Sequence, residues 1–180
     1  MATGVDEWVD VKPVKGFRLG TAMAGIRKPG KRDLVVMNWD AGSAVAGIFT
    51  RNRFCAAPVH LSKERLSNHP EYFLINTGNA NAGTGDTGMT AAKQITSELA
   101  RHSDIDEEKV LPFSTGVIGE QLPVDRICKG IPIALCGLNE NNWYEAAEGI
   151  MTTDTRPKGS SRQFIHDGKL YTISGISKGA

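Results

Sequence analysis

Arg162-Gln163-Phe164-Ile165-His166-Asp167-Gly168-Lys169-Leu170-Tyr171-Thr172-Ile173 is the stretch from which the fold is most directly read. Two runs containing aromatic and β-branched residues, Arg162–His166 and Lys169–Ile176, flank Asp167-Gly168, a dipeptide that accepts the positive φ angles of a two-residue hairpin turn. An antiparallel hairpin is expected there. Upstream, the apolar runs Leu34–Met37, Ala44–Phe49 and Tyr72–Ile75 are short and bounded by Gly, Asn or Asp, as buried strands tend to be. They are read as one sheet.

Helical spacing fills the ground between these strands. After Thr87 as N-cap, Ala92, Ile95, Thr96 and Leu99 fall at i, i+3, i+4 and i+7, one face of a helix. A second helix begins near Asn141 or Asn142, where Trp143, Ala146, Ala147 and Ile150 repeat the spacing and deliver Met151-Thr152-Thr153-Asp154 at its C-terminal end. Pro123 suits a first helical turn and Pro132 interrupts the apolar pattern that follows, which predicts two short helices in succession. Strands first, helices in the middle and a hairpin last predict an α+β fold of layered sheet and helices, one domain spanning 1–180.

Composition excludes several function classes. The 180 residues carry 21 basic and 20 acidic side chains, a formal net charge of +1, which is not the electrostatic footprint of a nucleic-acid binder. No nucleic-acid partner is expected. No apolar run approaches the ~20 residues that cross a bilayer, so no membrane partner is expected either. Met1 to Asp10 holds Asp6, Glu7 and Asp10 and no Arg, unlike a secretory or transit leader. Cys55, Cys128 and Cys136 show no Cys-x-x-Cys spacing, which argues against a disulfide framework and a zinc site and fits a reducing cytoplasm. Each is read as a small buried hydrophobe. The 20 glycines cluster in short stretches suited to tight turns.

Some motif-like stretches carry no chemistry. Asp86-Thr87-Gly88 spells the aspartic-protease triplet, yet it opens a helical pattern where that site needs a strand and a turn. Gly78, Gly83, Gly85 and Gly88 lack the terminal Gly-Lys-Ser/Thr of a phosphate loop. His60, His69, His102 and His166 are scattered, with no i, i+4 pair, so neither a metal nor another cofactor is expected. Val110-Leu111-Pro112-Phe113 differs, because this apolar run stops at Ser114-Thr115-Gly116. A Thr hydroxyl beside a Gly amide pairs two donors for a developing oxyanion, and Gly lets an acyl group approach. By itself such a stretch is usually a structural corner. Thr152 and Thr153 would by themselves serve as helix caps, and Lys178 as a solvated surface charge.

Taken in order, these segments resemble the ornithine acetyltransferase (glutamate N-acetyltransferase) family from Lys15-Gly16-Phe17 to Lys178-Gly179-Ala180. The resemblance runs through Ala24-Gly25-Ile26, Ala46-Gly47-Ile48-Phe49-Thr50-Arg51-Asn52, Ala56-Ala57-Pro58-Val59, Asn76-Thr77-Gly78-Asn79-Ala80-Asn81-Ala82, Ser114-Thr115-Gly116-Val117-Ile118-Gly119-Glu120 and Ile150-Met151-Thr152-Thr153-Asp154-Thr155. It implies the DmpA/ornithine acetyltransferase type of sheet-and-helix sandwich, completed by a second chain. The family's precursor cuts itself between an Ala and a Thr, and this chain resembles the N-terminal (alpha) product. Its implied partner is the C-terminal (beta) chain, in a heterotetramer of two alpha and two beta chains. The freed Thr of the beta chain would be the nucleophile, with its own α-amino group as base. The acetyl group would pass from N-acetylornithine to glutamate through an acetyl-threonine in arginine biosynthesis.

Carried over by motif, Thr115 and Gly116 would form the oxyanion hole, and Thr152 and Lys178 would contact the substrate. The family's junction normally lies several residues beyond the Lys-Gly-Ala stretch, so the nucleophile is expected outside these residues. Members that also use acetyl-CoA as donor are not separated from the others by this half. Two further readings remain open: a self-processing aminopeptidase or amidohydrolase of the same fold, and a non-catalytic amino-acid-binding subunit.

Overall fold

A mixed sheet, ordered β1-β2-β3-β4, organises the chain. Its strands are β1 Phe17–Ala22, β2 Leu34–Trp39, β3 Tyr72–Asn79 and β4 Val110–Val117. β2 runs antiparallel to both β1 and β3, whereas β4 lies parallel to β3. The computed structural model describes residues 8–179. Residues 1–7, part of the start read as lacking a leader, and Ala180, the last residue of the family-like stretch, lie outside the described residues.

Helices α2 (Gly85–Ser103) and α3 (Val124–Cys136) cover one face of the sheet. Leu34, Val36, Leu74 and Val110 point there from the strands and meet Ile95 and Leu99 of α2 and Ile127 and Ile131 of α3. The opposite face carries Leu19, Val35, Met37 and Trp39, packed on Trp143, Ala146 and Ile150 around α4 (Trp143–Gly149). Helix α1 (Ala57–Arg65) packs along β4. Buried Arg65 ties it there by donating to Thr96 Oγ1 and to Val110 O at 2.9 and 3.2 Å. The result is the layered α+β arrangement expected from the sequence.

The hairpin forms as read. Its strands β5 Lys158–His166 and β6 Lys169–Ser177 pair antiparallel around Asp167 and Gly168, whose φ angles are 49° and 72°. Its base packs near Val11, and Ile176 joins the α4 side of the core. Beyond the base, Ile165, Leu170 and Ile173 are exposed.

Four expectations need correction. Ala44–Phe49 forms no strand; the segment takes no regular structure and stays largely exposed, and Ile48 finds nothing among the described residues to bury it. The N-cap of α2 is Thr84, not Thr87, which sits in the first turn and donates its hydroxyl to Thr84 O at 2.6 Å. Pro132 lies inside one continuous α3 instead of dividing two helices; burial of Ile127, Ile131 and Ala134 on the sheet outweighs the lost backbone bond. Cys136 is exposed, while Cys55 and Cys128 are half-buried, so none of the cysteines is fully buried; all are free thiols.

Candidate active site

At the C-terminal end of the parallel pair, Asn76, Thr77 and Gly78 of β3 stand beside Ser114, Thr115 and Gly116 of β4. The ladder then breaks, with Asn79 opposite both Thr115 and Val117. Gly116 has φ +137°, and a Cβ placed on it would lie 2.3 Å from Gly78 C and 2.6 Å from Asn79 N. Only a glycine lets the two backbones meet this closely. Gly116 is exposed, and the half-buried Thr115 precedes it. Among the described residues the Thr115 hydroxyl has no hydrogen-bond partner.

Asparagine side chains hold this corner. Asn76, wholly buried, accepts from Ser114 Oγ at 2.5 Å and donates to Asn79 O at 2.9 Å. Asn79 donates to the carbonyls of Glu120 and Gln121 at 3.2 and 3.1 Å and accepts from Asn81 N at 2.8 Å. Asn81 in turn donates to Gly88 O at 2.8 Å, fixing the corner to the start of α2. Asp33 braces the neighbouring loop by accepting from Ala24 N and Ile26 N at 2.7 and 2.6 Å. Burial raises the Asp33 carboxyl above the usual carboxylate range despite those bonds. The Ser-Thr-Gly stretch is therefore the end of a strand, held by a network, and not a free turn.

Alternation along the strands sets where Thr115 points. Leu74 and Val110 face the α2–α3 layer. Phe73 and Ile75 of β3 therefore face the α4 layer, together with Phe113 and Thr115 of β4. Phe73 packs edge-to-face on Phe113, with ring centroids 4.9 Å apart. Thr115 thus shares a face of the sheet with the helix that leads into Thr152.

Thr152 is exposed just past α4, and Lys178 is exposed just past β6. Asp154 joins the two places. Its Oδ2 accepts from Thr152 N at 3.2 Å, and its Oδ1 accepts from Gly179 N at 2.7 Å and from Lys158 Nζ at 2.5 Å. The Asp154 side chain is only 1% exposed. Burial alone would raise its carboxyl, but the bonds from Lys158, Gly179 and Thr152 outweigh that and hold it down to about 2. The carboxylate stays charged at any physiological pH.

Thr115 with Gly116, and Thr152 with Lys178, thus form two pairs. Among the described residues no hydrogen bond or ion pair links one pair to the other. Sequence reading singled out neither Asp154, Asn76 nor Gly78 individually for a site role. The signals available were an acid four residues before Lys158 at the end of a helical pattern, and a glycine opposite Gly116 in a parallel register. No group of three or more His, Cys, Asp or Glu among the described residues suits a metal ion. No described helix is long and apolar enough to cross a membrane.

Residues 18–180 match the ArgJ family. The chain is 57% identical over its whole length to the arginine biosynthesis bifunctional protein ArgJ of Pseudomonas fluorescens (strain Pf0-1), and 54% identical to that of Pseudomonas syringae pv. tomato (strain ATCC BAA-871 / DC3000). It spans 44% of the length of each. The fold is similar to the crystal structure of ArgJ from Bacillus halodurans, with TM-score 0.84 and 32% identity over 92% of this chain and 87% of that one. It is also similar to ornithine acetyltransferase complexed with ornithine from Mycobacterium tuberculosis, with TM-score 0.80 and 32% identity over 93% of this chain and 90% of that one.

Proposed function

This chain belongs to the ArgJ family, and from that premise we propose that it is the alpha subunit of an acetyltransferase of arginine biosynthesis. In this reading it supplies the oxyanion hole and substrate contacts to a nucleophilic threonine on a beta chain made from the same precursor. The observation that carries the reading is the pair Thr115 and Gly116 at the open end of β4, with a hydroxyl that has no partner among the described residues. The relative crystallised with ornithine supports the substrate class.

The chemistry follows from those roles. The beta-chain threonine hydroxyl attacks the acetyl carbonyl of N-acetylornithine and gives its proton to its own α-amino group. The carbonyl oxygen becomes an oxyanion, to which Thr115 Oγ1–H and Gly116 N–H donate. Collapse expels ornithine, whose amine takes up a proton, and leaves the acetyl group as a threonine ester. The glutamate amine attacks that ester through a second oxyanion at the same donors, yielding N-acetylglutamate and free threonine. Donors fixed before reaction are worth more than water, which must reorient as charge develops. Thr152 and the Lys178 ammonium contact the amino-acid portion of the substrate. No metal or organic cofactor has a role. The assembled enzyme is a heterotetramer of two alpha and two beta chains, working in the cytoplasm.

The test is initial-rate kinetics on the processed enzyme with N-acetylornithine and glutamate both varied. Parallel double-reciprocal lines are expected, because the ester separates the half-reactions. Intersecting lines reject the covalent route. Turnover of a peptide amide without glutamate would identify an aminopeptidase instead.

A further inference from the structure

Thr152 and Gly179 lie far apart in sequence, yet their backbone N–H groups converge on one carboxylate. A charge buried to 1% exposure costs free energy unless its partners repay it. Here the partners include the two segments to which substrate contacts are assigned, since Gly179 directly follows Lys178. An Asp154–Lys158 pair alone would give no reason for both loops to meet there. Charge-assisted bonds to backbone N–H groups are short and directional, so they fix loop position more firmly than side-chain packing between exposed residues.

We propose that Asp154 is a positioning residue for substrate binding, a clamp that holds the Thr152 loop and the Lys178-Gly179 segment in one register so that both reach the same substrate. The inference rests on the assignment of Thr152 and Lys178 as substrate contacts. Lys158 is the counter-ion that keeps the clamp charged, and it touches neither loop's N–H. Asp154 does not touch substrate in this reading. Its effect passes through the two residues it orients, and it is present equally in the ground state and the transition state. Loss of the clamp therefore weakens binding without altering the chemical step.

The experiment compares Asp154→Asn, Lys158→Gln, Thr152→Val and Lys178→Met in the processed, assembled enzyme, with amide hydrogen exchange on the wild type and on Asp154→Asn. In Asp154→Asn the amide group presents its own N–H to one of the donors, so at least one bond is replaced by a donor–donor clash. Its KM for N-acetylornithine is expected to rise about tenfold or more, with kcat within about threefold. Exchange at Thr152 and Gly179 should accelerate together. Lys158→Gln leaves both N–H bonds in place and should shift KM much less. Equal KM changes in Asp154→Asn and Lys158→Gln would reduce Asp154 to a structural ion pair and overturn the proposal. So would an unchanged KM in Asp154→Asn alongside raised values in Thr152→Val and Lys178→Met. If those two variants bind substrate normally while exchange still reports a clamp, the failure lies in the substrate assignment on which the proposal rests. Should Asp154→Asn not fold, rapid wild-type exchange at Thr152 and Gly179 would be enough to reject the clamp.

Discussion

Thr115→Val keeps the shape of the side chain and removes one donor, so it separates chemistry from packing at a single position. Loss of one fixed donor to an oxyanion is expected to lower kcat ~10²–10³-fold, with substrate binding and melting temperature close to wild type. Self-cleavage also passes through a tetrahedral intermediate, so the assay uses enzyme already processed or halves expressed separately. Near-normal kcat at an unchanged melting temperature would remove Thr115 from the mechanism, and lost stability with normal kcat per folded molecule would make it a structural corner. Thr115 and Gly116 drew notice in the sequence because they end an apolar run, and the role proposed for them came from the family resemblance, not from the run. Asp154 drew none, because its importance arises from Gly179 arriving beside it, and no spacing rule links those positions. Gly78 was read as a turn former for the same reason: its neighbours Gly116 and Arg27 come from elsewhere in the chain.

Among the elements, the hairpin offers the cleanest backbone test. Gly168 sits at φ +72° with nothing within 4 Å of a Cβ placed on it, so a substitution there meets strain and no clash. Gly168→Val should cost roughly 1–2 kcal/mol of stability, the penalty of a branched residue in the left-handed region, and leave kcat unchanged. Gly168→Asn should recover most of it, since Asn tolerates that region. Thermal melting of the two variants checks both. The hairpin, α2 and α4 were legible because each carries its own periodicity or turn residue. Periodicity failed where a partner decides the outcome. Ala44–Phe49 has the apolar content of a strand but pairs with none of the described strands and leaves Ile48 exposed. β1 contains Gly20 and Thr21 and shows no clear alternation, yet it becomes a strand by pairing with β2 from Phe17 to Ala22. Pro132 reads as a helix end, and tertiary burial of the helix that contains it prevails.

For the whole molecule, exposed apolar residues gather on parts that nothing among the described residues covers. Ile48 is fully exposed, and Ile118, Ile165, Leu170 and Ile173 are each more than half exposed. An isolated two-stranded hairpin is marginal in water, which makes this one dependent on further cover. Expressed alone, residues 1–180 should aggregate, and co-expression with the remainder of the precursor should yield a soluble complex, as gel filtration would report. A monomeric, cooperatively melting product of this chain would contradict the two-subunit reading. The parallel pairing of β3 with β4 also has a consequence in time. That pair cannot close until all of α2 has been made, whereas the hairpin closes within about 1–10 μs once its turn exists. At roughly 5–20 residues per second of synthesis, Gly179 leaves the ribosome on the order of seconds after Gly116. A nascent chain therefore carries the proposed oxyanion corner for that interval before the proposed clamp at Asp154 has its second loop to hold.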